Sequence, residues 1–190
     1  IPLYDVMIDM KEIRNRIDVM TVEDKVKYQH LRAITYIPQV YLGLKATDWQ
    51  GSLPYSEAVE ARYSGNMTPK YDTQEELFTT WLQELDGAIS VLIQDLDNQY
   101  SPENQDFIYG GDNVAWARLA NSLRLRIAAR MELADNTAMR TVLNEIVSTK
   151  DNEGNLLLIT DFDQQAVWAP GGEEFGPGGT NSLWIENYGP

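Results

Sequence analysis

Apolar residues recur along this chain in steps of three and four, the period of a helix that buries one side. Val6, Met10, Ile13, Ile17 and Met20 keep that rhythm and predict a first helix over roughly residues 5 to 20. Thr21 with Asp24 predicts a cap for a second helix, whose stripe runs Val26, Leu31, Ile34, Ile37, Tyr41 and Leu44. Pro38 lies inside that stripe, removes one backbone donor and should kink it. Asp72 with Glu75 opens a third, and Leu77, Phe78, Trp81, Leu82, Leu85, Ala88, Ile89, Leu92, Ile93 and Leu96 follow on one broad face. A fourth runs from about Asn113 to Leu133, capped by Asp112 or Asn113. Asp135 or Asn136 caps a short fifth, with Met139, Val142, Leu143 and Ile146 inward. No sustained period-two alternation competes with this pattern.

The expected fold is therefore mostly α: stacked antiparallel helix pairs, tetratricopeptide-like, with long irregular loops after the second and fifth helices. The two-residue joint between the fourth and fifth predicts an antiparallel hairpin. No 34-residue repeat signature accompanies it, so pairwise stacking rests on packing alone. Residues 1–190 read as a single α-helical domain or fragment, with a helical core over about 5–149 and an irregular, loop-rich segment over 150–190. Thr47 to Tyr71 is a second irregular stretch, rich in Gly, Pro, Ser and aromatics. The chain opens at Ile1 with no leader pattern and closes with Trp184-Ile185 in a loop-like tail, as expected of part of a longer protein.

The fourth helix carries two stripes of different character. Leu119, Leu123, Ile127 and Met131, flanked by Trp116, Ala120 and Ala128, form a core face. Arg118, Ser122, Arg126 and Arg130 share another face, with Arg124 to the side. The formal net charge is -14, which disfavours nucleic acid, anionic lipid and anionic glycans as partners. In that setting the arginines are expected to pair with carboxylates on neighbouring helices rather than to form an anion site.

Little catalytic chemistry is available. Cysteine is absent, which removes disulfides, thiolate metal sites and thiol nucleophiles. One histidine, His30, rules out multi-histidine metal sites and reads as a packing or surface residue. No run approaches the 18 or so apolar residues of a membrane span. Gly110-Gly111 precedes a helix but lacks both the GxxxxGK[ST] and GxGxxG contexts, so it reads as a helix-entry turn. Asp151 to Asn155 has its glycine at the wrong place for an EF-hand and reads as a solvated turn. Glu173-Glu174 and Asp161/Asp163 are the only carboxylate pairs in irregular sequence, and an acidic chain produces such pairs by chance. The expectation is no catalytic residues, no metal and no cofactor. Trp81 and Trp116 fall on core faces. Trp49, Trp168 and Trp184 lie in or beside loops, where an indole can stack on the apolar face of a sugar ring.

Three ordered motifs then point to a family. Gly51-Ser52-Leu53-Pro54-Tyr55-Ser56-Glu57-Ala58 is the first. Pro69-Lys70-Tyr71-Asp72-Thr73-Gln74-Glu75 opens the long helix, which carries Glu84-Leu85-Asp86 and Ala88. Asp106-Phe-Ile-Tyr109-Gly-Gly-Asp112 leads to Trp116 and Ala120-Asn121-Ser122-Leu123-Arg124-Leu125-Arg126, with Arg130 beyond. Together they resemble the SusD/RagB family of bacterial surface nutrient-binding lipoproteins; Ser52 stands where that family usually has Asp. The resemblance implies an outer-membrane protein displayed on the cell surface, lipid-anchored in its full-length form through a cysteine outside this sequence. It implies non-catalytic capture of oligosaccharide or polysaccharide, and delivery to a SusC-like, TonB-dependent outer-membrane transporter. Alternatives are a peptide-binding member of the same family or a helical-repeat protein–protein interaction scaffold. The motifs read as scaffold, with Asn121 and Ser122 expected in interhelical hydrogen bonds. Ligand is expected on loop aromatics: Trp49 and Trp168 first, Trp184 and Tyr55 behind them.

Overall fold

The computed structural model describes residues 2–167. Helix α1 spans Pro2–Asp18. Its fully buried positions are Leu3, Met7 and Ile17, while Val6, Met10 and Ile13 are only half-buried. The inward line is thus turned away from the predicted stripe and passes through Arg14, which a purely apolar count skips.

The predicted second helix is three: α2 (Val22–Lys27), α3 (Gln29–Ile34) and α4 (Tyr36–Gln50). Thr21 caps α2 by accepting the amide of Asp24, as the sequence indicated. The breaks fall at Tyr28 and Thr35 rather than at Pro38. A proline interrupts a helix one turn upstream, where the carbonyl of the fourth residue before it loses its donor. For Pro38 that carbonyl is Ile34, where α3 stops. Pro38 itself sits in the first turn of α4, where no amide donor is required.

Helix α4 continues through Thr47 to Gln50, so Trp49 lies in its last turn and not in a loop. Gly51, at φ 71°, ends it, with its amide on the carbonyl of Thr47. A short α5 (Ala61–Ser64) interrupts the irregular stretch that follows. Helix α6 runs Gln74–Leu92 behind a capping box of Thr73 and Glu76, one residue later than predicted, because Asp72 is engaged elsewhere. Helix α7 (Asn113–Met131) is capped by Asp112, and α8 (Asn136–Ser148) by Asp135. The short joint between them, residues 132 to 135, folds them into a hairpin.

Helix α6 packs on α7, and α7 on α8; α1 packs on α4, which also touches α6 and α7. Ile37, Val40 and Leu44 of α4, Leu77, Trp81 and Leu85 of α6, and Ala117, Ala120 and Ile127 of α7 meet in one core. Helix α8 is less committed: Ile146 is buried, but Met139, Val142 and Leu143 are only half-covered. The close approach of α4 and α6 depends on Gly43, where an added β-carbon would lie 2.6 Å from Cζ2 of Trp81.

Candidate functional site

The motif residues are largely consumed by one another. Leu53 and Asp72 form an isolated antiparallel bridge. The Asp72 carboxylate then accepts the amides of Tyr55 (2.9 Å) and Ser56 (2.7 Å) and the Ser56 hydroxyl. Burial pushes the Asp72 carboxyl up, but those donors together with Lys70 hold it below its ordinary value. Asp106 plays the same part before α7. It accepts the amides of Ile108, Tyr109 and Gly111 and the indole N–H of Trp116 at 2.7 Å. Gly110 and Gly111 take φ of 61° and 86°, and a β-carbon on Gly111 would meet Ser101 Oγ at 2.4 Å. The Gly-Gly pair is a helix-entry turn around a carboxylate.

Asn121 and Ser122 do what poor helix formers in a helix suggest. Asn121 donates to the carbonyls of Ile146 and Leu157, and Ser122 Oγ accepts the amide of Ile159. The short apolar run after Lys150 is thereby stitched to α7, with Leu157 fully buried. Asn152 to Asn155 form an exposed turn as expected, but Asp151 turns inward: it is buried, accepts the amides of Glu153 and Asn155, and pairs with Arg118 at 3.3 Å. Among the described residues no group of His, Cys, Asp and Glu could hold a metal ion.

The arginines of α7 pair as their acidic surroundings indicated. Arg126 and Arg130 share Asp48, at 3.3 and 2.5 Å. Arg124, set aside from the stripe by sequence, is the buried one; it reaches Glu145 at 2.7 Å and Asp86 at 3.5 Å. His30 is buried too, with Nδ1 2.7 Å from the Asn113 side chain, and burial lowers its pKa.

Of the four residues expected to stack on ligand, Trp49 is 91% exposed and Tyr55 only 5%. Trp168 and Trp184 lie outside the described residues. Trp49 borders a hollow of about 520 Å³ whose walls include Pro2, Leu42 and Lys45 and whose polar edge is Asp48 and Arg126. Gln50 also borders a neighbouring hollow of about 370 Å³ floored by Tyr4, Pro54 and Pro69 and edged by Tyr71, itself 70% exposed. Sequence reasoning passed over Tyr71. Its signal was its place in a motif whose neighbour Asp72 faces inward, which turns Tyr71 outward.

Tyr55 belongs to a different constellation. Its ring stands edge-on to Trp81, with centroids 5.4 Å apart. Its hydroxyl donates to Glu84 Oε2 at 2.6 Å and accepts from Gln39 Nε2 at 2.5 Å. Gln39 Oε1 in turn accepts from Arg14 at 2.9 Å, and Arg14 also donates to Thr35. The Arg14 guanidinium lies 4.4 Å from the Tyr36 ring centroid. Burial raises Glu84 to about 7, partly opposed by the Tyr55 hydrogen bond and the charge of Arg14. Arg14, Tyr36, Gln39, Tyr55 and Glu84 line a cavity of about 390 Å³ between α1, α4 and α6. A cleft of about 500 Å³ adjoins it, sharing Arg32, Tyr36 and Glu84 as walls. Glu84 was legible as an acid three residues beyond Trp81, inside the apolar stripe of α6.

The profile of the family described as "Susd and RagB outer membrane lipoprotein" matches residues 2–169, and the chain belongs to that family. A SusD homologue from Bacteroides uniformis is 31% identical, with a TM-score of 0.66 over 81% of this chain and 29% of its own. A chitin-binding SusD homologue from Flavobacterium johnsoniae is 30% identical, with a TM-score of 0.64 over 76% of this chain and 28% of its own. One from Parabacteroides distasonis is 27% identical, with a TM-score of 0.69 over 94% of this chain and 33% of its own. The chain thus spans about a third or less of the length of these relatives. No curated protein is significantly similar to it.

Proposed function

We propose that this chain is part of a non-catalytic glycan-capture protein, displayed on the outer membrane through a lipid anchor, which hands its ligand to a SusC-like, TonB-dependent transporter. The family supports the setting, and the chitin-binding relative supports a glycan, with chito-oligosaccharides as the first ligands to try.

The observation that carries the reading is Trp49. A helix that buries Ile37, Val40, Leu44 and Ala46 leaves a 91% exposed indole in its last turn. Beside it, Asp48 and Arg126 present acceptors and donors to the same hollow. A flat apolar face next to paired polar groups matches a pyranose, which has C–H faces and a hydroxyl rim. Stacking is geometrically permissive, so many sugar sequences are held weakly and released quickly. Trp168 and Trp184 belong to the same proposal as further stacking groups. Affinity electrophoresis against a polysaccharide panel tests it: soluble chitin derivatives or other neutral glycans should retard the protein. Unchanged migration throughout would favour a helical scaffold whose partners are proteins.

A further inference from the structure

Resting on that reading, we propose that the cavity between α1, α4 and α6 is a second subsite, one that takes a carboxylated sugar against the general repulsion of a chain of net charge -14, with Arg14 as the local positive group that meets the carboxylate.

The charges of this cavity are unevenly settled. The charged and titratable groups that share it with Glu84 are Lys11, Arg14 and Asp18 from α1, Arg32 and Tyr36 from α3 and α4, and Tyr55 from the following loop. Lys11 pairs with Glu60, and Arg32 is held by Asp18 through two bonds of 2.9 and 3.0 Å. Arg14 has amide, hydroxyl and ring contacts but no ion pair among the described residues. The carboxyls that feel its charge are Asp18, already held by Arg32, and Glu84, which burial raises to about 7. A half-buried guanidinium without a fixed counter-ion is unusual in a chain of net charge -14, where carboxylates are plentiful.

The shape suits a sugar acid. Two bonds, to Thr35 and Gln39, fix the orientation of the guanidinium and leave N–H groups free for a planar carboxylate. Asn15 and Thr80 add polar groups to the wall, and the adjoining cleft brings Gln29 and Gln83. Together the two openings fall in the size range of small-ligand pockets. A bound carboxylate takes over the neutralisation of Arg14 and repels ionised Glu84, so binding should be coupled to proton uptake at Glu84.

Calorimetric titration with a galacturonic-acid trimer, its fully methyl-esterified form and a chitin trimer tests this. The acid should bind about tenfold more tightly at pH 6 than at pH 8, with proton uptake seen as a heat that varies with buffer. The ester, which lacks the charge, should bind more weakly and without that pH dependence. Glu84→Gln keeps an acceptor for Tyr55, and should bind the acid at pH 8 as well as the unaltered protein does at pH 6. Arg14→Gln should lose the preference for acid over ester; if it fails to fold, Glu84→Gln decides alone. Equal binding of acid and ester, or no pH dependence, would overturn the subsite while chitin-trimer binding left the capture role standing. Binding of none of the three would overturn both.

Discussion

Gly43 and Trp81 show how much can depend on one missing methyl group. The indole lies fully buried against the glycine, between Tyr55 and Phe78. Gly43→Ala gains helix propensity but forces the β-carbon into the ring, and overpacking of this kind costs about 1–3 kcal/mol. Its urea midpoint should fall, with no change in slope; an unchanged midpoint would show that the two helices separate easily. Asp106 makes a second case. Asp106→Ala removes the acceptor of four N–H groups and should cost about 2–4 kcal/mol, read by thermal unfolding. Burial raises the Asp106 pKa, but these donors hold it below the ordinary value. The stability it contributes is therefore present above the unfolded carboxylate range and lost as the pH falls through the lowered value. Neither contact was visible in the sequence, where Gly43 carried no signal and Asp106 was marked only by its place at the start of a motif.

At the scale of elements, periodicity carried most of the fold. The cap at Thr21 and the long faces of α6 and α7 follow from spacing, and of the alternatives left open before α7 and α8 the structure takes Asp112 and Asp135. The division of the second helix did not, because a proline acts on the turn before it and the break has no residue of its own. Nor did the buried polar chain from Arg14 through Gln39 and Tyr55 to Glu84, which links three helices and a loop. Its members sit on inward faces that an apolar count ignores. Glu84 gives this chain a pH signature. Its folded pKa, raised to about 7, exceeds the ordinary 4.5, so the neutral carboxyl favours the fold below about pH 4.5, and that contribution is lost as pH rises through 7. Glu84→Gln should accordingly gain melting temperature relative to the unaltered protein at pH 8 and show little gain at pH 5. A gain of equal size at both would mean that Glu84 is ionised throughout.

For the whole molecule, family and fold set the context, and the exposed aromatics carry the functional claim. The motifs that made the family legible are scaffold: Tyr55, Ser56, Asp72 and Asp106 hold loops in place, and their atoms are spent inside the protein. The candidate site was legible only in part. Trp49 was expected on a loop, and the structure places it, 91% exposed, in the last turn of α4, because a tryptophan in sequence does not say where its helix ends. The most direct measurement is a titration of chito-oligosaccharides, or of whichever neutral glycan retards the protein, against the unaltered chain and Trp49→Ala. One lost stack of about 1–2 kcal/mol should weaken binding around tenfold, while the melting temperature stays nearly unchanged. Equal affinity in the two proteins would contradict ligand capture at this surface.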